Sequence, residues 1–202
     1  MPDAPGLELI RGEIEQDHPG AVLDTSFDRD QPALVVDPAQ ILAVLAWLRD
    51  APGQGYRFLS SLHAADYLPA QPRFAVHYEL LNRDRVERLR VKAMLADPSP
   101  AGGAAGGTTP EEASATAGGG GSPAVTGPAG QGLPEIDSCV SLFPTAEFQE
   151  REAYDFFGIV FKGHPDLTRI LLPEDYVGWP QRRDFPIGGE PVTFTYNERD
   201  YG

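Results

Sequence analysis

The sequence predicts an α+β fold: a small mixed α/β domain whose sheet is of antiparallel type and packed by helices, followed by a long extended C-terminal arm. Three observations predict it. Residues 73–95 alternate apolar and polar side chains around a polar turn, the pattern of a hairpin with one buried and one wet face. Apolar residues recur at helical spacing on either side of that hairpin. The last stretch is broken by prolines at 165, 173, 180, 186 and 191, yet it is rich in large rings.

The first ordered element expected is a helix. Asp37-Pro38-Ala39-Gln40 supplies an N-cap, a proline at the first helical position and a Gln three residues after the cap. Ile41, Leu42, Val44, Leu45 and Leu48 follow on one face, and Asp50-Ala51-Pro52-Gly53 ends the run. Tyr56–Leu62 reads as a strand. In Arg73–Leu81, Phe74, Val76, Tyr78 and Leu80 alternate with Arg73, Ala75, His77 and Glu79, which places His77 on the wet face. Asn82–Arg85 is the turn, and Val86–Leu95 is the returning strand.

From 97 to 132 the chain holds half of its 22 glycines and no aromatic residue. Such a segment buries too little surface to offset its conformational entropy and is expected to be a disordered insertion. Lengthening a surface loop costs only about 0.6 kcal/mol per doubling, so Val86–Leu95 is free to pair with the chain beyond the insertion. That chain reads as a strand, Glu135–Phe143, and then a helix from Pro144-Thr145 through Phe156, closed by Gly158. The organisation expected is therefore an N-terminal segment at 1–36, an α/β domain at 37–157 with its insertion, and a docking arm at 158–202. An undocked arm would be cut readily by protease in the isolated chain.

The net charge of −14 argues against nucleic acid as a partner, because phosphate binding needs a basic surface. It suits docking on a basic protein. Cys139 is the only cysteine, so no disulfide and no cysteine-ligated iron–sulfur cluster forms from this chain alone. It reads as a small buried side chain on a strand. No secretory h-region and no run of about 18 apolar residues occurs, so membrane association is expected only through a partner.

The candidate chemistry is concentrated between Glu150 and Pro186. Glu147, Arg151 and Asp155 fall at i, i+4, i+8 and read as an ion-pair ladder on a helix face. Glu150 and Glu152 with Asp155 offer a metal or acid–base reading, against a solvated helix face; His164 and Asp166 offer two ligands or a proton relay, against a Gly163–Pro165 turn; a metal enzyme would be built on Glu152, Asp155 and His164. Arg169, Arg182 and Arg183 suit carboxylates, here expected on a neighbouring subunit. No glycine-rich phosphate loop and no nucleophile–base arrangement is visible.

Those residues also carry a family resemblance. Glu150-Arg151-Glu152-Ala153-Tyr154-Asp155-Phe156-Phe157-Gly158-Ile159, its continuation Phe161–Leu171, Pro173-Glu174-Asp175, and Gly178-Trp179-Pro180-Gln181-Arg182-Arg183-Asp184-Phe185-Pro186 resemble the signature of the 30 kDa subunit of bacterial respiratory complex I, the NADH–quinone oxidoreductase. Departures are Ala146-Glu147-Phe148-Gln149, where the family tends to a Trp and a Tyr, Gln181 for leucine, Arg183 for lysine, and the insertion. The resemblance implies a non-catalytic peripheral-arm subunit of a proton-translocating NADH–quinone oxidoreductase, on the cytoplasmic side of the inner membrane. It implies that the C-terminal arm clamps the 49 kDa-type large subunit at the quinone site. It implies no cofactor in this chain, FMN and iron–sulfur clusters belonging to other subunits. The positions it marks as interface and fold determinants are Glu150, Arg151, Glu152, Asp155, His164, Asp166, Arg169, Glu174, Asp175, Trp179, Arg182, Arg183 and Asp184. A membrane-bound hydrogenase or formate-hydrogenlyase-type complex carries an equivalent subunit, and a free-standing metal enzyme is a third reading.

Overall fold

Regular structure begins well before Asp37. The computed structural model describes residues 2–29, 31–98 and 132–185. Helix α1 (Ala4–Asp17) opens the chain, its N-cap Asp3 accepting a hydrogen bond from the Gly6 N–H at 2.8 Å. Its buried stripe is only Leu7, Ile10 and Ile14, while Leu9 points to solvent. So narrow a stripe, in a helix holding Gly6 and Gly12, gives little periodic signal. Strands β1 (Val22–Asp28) and β2 (Gln31–Val36) form a hairpin after it. The expected 1–36 segment is thus part of the domain.

Helix α2 (Ile41–Asp50) forms where the sequence places it, after a single 3-10 turn capped by Asp37. Strands β3 (Phe58–Asp66), β4 (Phe74–Asn82) and β5 (Glu87–Leu95) follow. The hairpin pairs Phe74 with Leu95 and Asn82 with Glu87, as the alternation requires. The sheet order is β1-β2-β5-β4-β3. Only the β2–β5 contact is parallel, so the sheet is mixed and mainly antiparallel.

β5 is therefore a central strand with both edges taken, and it does not pair with the chain after the insertion. That chain forms β6 (Glu135–Asp137), which pairs in parallel with β7 (Val160–Lys162) in a separate small sheet. The longer strand expected to Phe143 is broken. The Cys139 carbonyl accepts from both Leu142 and Phe143 N–H, and Cys139 sits in this turn, fully buried. The insertion lies outside the described residues from 99 to 131. Asp97, its expected first residue, is held by Arg73 at 2.8 Å.

Helix α3 (Ala146–Phe157) covers the open edge of β3. Gln149 accepts from the Leu62 N–H, and the Thr145 hydroxyl donates to the Leu59 carbonyl at 3.1 Å. Satisfying an edge with side chains stops it from pairing with another strand. Ala146, Ala153 and Phe157 of α3 join one core with Val44, Leu45 and Leu48 of α2, Ile10 and Ile14 of α1, and Val76, Tyr78, Leu80, Leu89 and Val91 of the sheet. Each such Leu, Ile or Val stabilises the fold by about 2 kcal/mol relative to exposure.

His77 lies on the face away from the core, as the alternation requires, but that face is not wet at this position. His77 is buried under Tyr67, whose hydroxyl is 3.2 Å from its Nε2, and it stacks on His63 across the strand pair. Burial, then the nearby His63, Lys92 and Arg90, push its pKa down to about 3.

Candidate functional site

α3 ends because Gly158 takes φ +68°, the left-handed conformation that closes helices. After β7 the chain reverses and runs back along the outside of α3 as a strap, residues 163–185. The strap is fastened rung by rung. His164 Nε2 donates to the Glu147 carbonyl at 3.0 Å, and its Nδ1 accepts the Asp166 N–H at 3.0 Å. That is the turn the Gly163–Pro165 spacing predicts, with both ring nitrogens occupied.

One turn further along the helix, Arg151 reaches the Thr168 carbonyl and hydroxyl and the Arg169 carbonyl, at 3.2, 2.9 and 3.2 Å. Asp166 stands 4.0 Å from its guanidinium. Asp155, fully buried, takes the next rung. Its Oδ2 accepts three successive backbone N–H groups, Ile170, Leu171 and Leu172, at 3.0, 2.7 and 2.9 Å. Its Oδ1 accepts Arg169 Nη1 at 2.8 Å. Burial raises the Asp155 pKa, but these donors outweigh it and hold the carboxyl below its ordinary range. The expected Glu147–Arg151–Asp155 ladder does not form, since Arg151 and Asp155 both turn to the strap. The three-residue metal reading fails likewise: Asp155 is consumed, His164 is consumed, and Glu152 is exposed.

The strap then returns to the core. Trp179 is 5% exposed and lies on Gly158, where an added Cβ would come within 2.5 Å of the indole. Tyr154 meets it edge-on at 5.3 Å, and the Arg169 guanidinium lies 4.6 Å from its ring centroid. Arg182 is buried and donates through Nε to the Phe157 carbonyl at 2.7 Å. Arg183 donates its backbone N–H to Asp66 and its guanidinium to the Leu68 carbonyl. Arg169, Arg182 and Arg183 thus each find an acceptor inside this chain. Residues 158–185 belong to the folded domain, and the arm from 186 to 202 lies outside the described residues. Glu174 and Asp175 are exposed at the strap's far bend.

Asp184 closes the strap on a cluster that the spacing of charges along the chain does not reveal. Arg73 (4% exposed) holds Asp184 by two bonds of 2.6 and 3.0 Å, Asp66 by two of 2.7 and 3.0 Å, and Asp97 by one of 2.8 Å. Burial disfavours the guanidinium charge, but the three carboxylates outweigh that and raise its pKa. The only sequence signal is the way Asp66 and Arg73 bracket a proline-containing turn.

A family model for the respiratory-chain NADH dehydrogenase 30 kDa subunit matches residues 34–102 and 125–191, which include α2, strands β3 to β5, α3 and the strap. The chain belongs to this family. The C subunit of NADH-quinone oxidoreductase from Herpetosiphon aurantiacus is 40% identical over 168 residues, 82% of this chain and 77% of the relative. Its counterpart from Roseiflexus castenholzii is 36% identical over 180 residues, 89% and 84% of the two chains. Among solved structures, the trypsin-resistant fragment of Nqo5 shares the fold with a TM-score of 0.53 at 24% identity, covering 80% of this chain and 98% of that one. A chain of the archaeal membrane-bound sulfane sulfur reductase does so at 0.59 and 19% identity, covering 96% and 94%. No described helix of this 30 kDa-family chain is long and apolar enough to cross a membrane.

Within the family signature, Glu150 faces the opposite way from Arg151 and Glu152. It is fully buried and accepts the Cys139 N–H through Oε1 at 2.8 Å. Its Oε2 and the Tyr78 hydroxyl are both buried without a protein partner. Burial raises its pKa, and bonds from Ser138 and Cys139 offset this only in part. A raised folded-state value means the stability contribution is full below the ordinary Glu value and is lost as pH rises through the raised one. Glu150→Gln keeps the acceptor for Cys139 and cannot ionise. The variant is expected to be the more stable of the two at about pH 8, with the advantage gone at about pH 4. Urea unfolding at both pH values checks this, and parallel pH profiles would refute it.

Proposed function

We propose that this chain is a non-catalytic peripheral-arm subunit of the proton-translocating NADH–quinone oxidoreductase and braces the quinone-reducing module. In the complex, electrons pass from NADH through FMN and iron–sulfur clusters held by other subunits to quinone, coupled to proton translocation. This chain carries no cofactor. It sits on the cytoplasmic side of the inner membrane and docks chiefly on the 49 kDa-type large subunit.

One observation carries the bracing role. Arg151, Asp155, Arg169 and Arg182 of the signature are spent on binding the strap to α3, while two large apolar side chains beside it, Phe148 and Leu171, are each left 60% exposed. A rigid, internally bonded surface with outward apolar anchors suits docking more than chemistry. Co-purification of the tagged full chain with the large subunit tests the reading, and recovery of the chain alone would end it. The Phe148→Asp/Leu171→Asp variant is expected to cut assembled complex by on the order of tenfold or more. Its Tm is expected to stay within about 2 °C of wild type, as for substitutions outside the core. A hydrogenase-type complex is the second reading. The fold shared with the sulfane sulfur reductase chain is compatible with it, but the relatives at 36–40% identity are NADH–quinone oxidoreductase subunits and favour the first.

A further inference from the structure

The helices all feed one face of the sheet, and the register fixes what the other face presents. Arg88 stands beside Leu81, with Phe58 beyond it. Arg90 stands between Glu79 and Ala33, and Lys92 between His77 and Val35. Three successive outward positions of the central strand are therefore cationic. Arg83, in the turn, adds a fourth charge, its guanidinium 4.1 Å from the Phe58 ring centroid.

The compensation is thin. Glu79 is paired with Arg90, Asp84 lies beside Arg83 in the turn, and Asp24 and Asp28 stand on the far edge strand. Arg88 is exposed and in no ion pair among the described residues. Lys92 rests its ammonium on the Tyr67 ring at 4.3 Å. Small side chains between the cations, Ala33, Val35 and Ser61, keep the face shallow, and a depression of about 510 Å³ opens beside Arg88 and Arg90. The whole chain carries −14, so this strip runs against the overall field. Solubility does not call for a local reversal of sign, whereas recognition of a carboxylate-rich surface does.

We propose that this sheet face docks an acidic segment of another subunit of the complex, an inference that rests on the bracing role above. A second copy does not fit, because a two-fold contact through this face sets the cations against their own copies. Nucleic acid does not fit, because the rest of the surface repels phosphate.

The test uses the purified complex containing the full chain, with the isolated full chain as reference. Phenylglyoxal reads Arg88, and carbodiimide coupling reads Lys92. Arg88 is expected to label on the order of tenfold more slowly in the complex, as a group desolvated in an interface does. Carbodiimide is expected to join Lys92 to an Asp or Glu of a different subunit. Arg88→Glu is expected to weaken incorporation by on the order of tenfold, more at low salt than at high. Equal labelling of Arg88 in complex and isolated chain overturns the proposal, whether both label fast or both are shielded. So does protection that disappears on nuclease treatment. Absence of the chain from the complex would fail the bracing role itself, and this inference with it, which keeps the two failures apart.

Discussion

Arg73→Met is expected to cost about 3–5 kcal/mol and to lower Tm by roughly 6–20 °C for a domain of this size. The reason is what stays behind. Asp66 and Asp97 are 1% and 10% exposed and Asp184 is 19% exposed, and all three lose their common cation. Methionine fills the volume of the stem but leaves three carboxylates facing each other without the guanidinium between them. Arg182 lies close enough to interact with all three, but its own guanidinium is directed to the Phe157 carbonyl. The pH dependence has a definite sign. Burial raises the Asp66 pKa, but Arg73 and the Arg183 and Leu68 N–H groups outweigh it, so the native value is lowered. That contribution is present above the ordinary Asp value and is lost as pH falls through the lowered one. The gap between wild type and variant is therefore widest near about pH 7 and narrows below about pH 4, where the variant's carboxylates are neutral. Arg73→Lys keeps the charge without the fork and should fall between the two. Urea titrations at the two pH values give these differences. A variant within about 1 kcal/mol of wild type at pH 7 would show that the cluster is solvated rather than a clasp.

The elements with strong local signals were legible: α2 from its cap and periodicity, the β4–β5 hairpin from its alternation, α3 and its Gly158 stop. α1 was not, because three inward residues make a weak stripe. The parallel placing of β2 beside β5 was not, because a short apolar run such as Ala33-Leu34-Val35-Val36 does not declare its partner. In the candidate site, helical spacing assigned the wrong contacts to Arg151 and Asp155. Arg151 and Asp155 are four apart and suited to each other's chain of pairs, yet a strap returning some 15 residues later offers backbone groups with better geometry. Sequence proximity ranks neighbours on one helix and is silent about a segment that folds back. The same silence hid Arg73, whose partners come from three separate parts of the chain.

Gly158→Ala is expected to release the strap, although it adds one methyl group. The backbone there is left-handed, which costs a residue with a Cβ about 1 kcal/mol or more. The larger part is steric. The new Cβ would lie 2.5, 2.7 and 2.8 Å from Cε2, Cδ2 and Nε1 of Trp179, and those are atoms of a rigid ring rather than the end of a flexible chain. The ring is held from its other sides by Tyr154 and Arg169, so it cannot retreat without leaving its site. Losing a buried Trp from its pocket costs about 3–5 kcal/mol, and that is the expected total within about 1 kcal/mol. A double-mutant cycle separates the two parts. In a Trp179→Ala background, Gly158→Ala should cost only the backbone strain, roughly 1 kcal/mol, giving a coupling of about 2 kcal/mol or more. Full additivity would mean that Trp179 moves aside at no cost. The released strap also has a direct optical signature. The chain has two tryptophans, and Trp47 lies in α2, so a red shift of emission from the folded Gly158→Ala variant reports Trp179 entering water. Protease should then cut between 163 and 185, a segment protected in the wild-type chain because its N–H groups are taken up by Asp155 and its indole by Gly158.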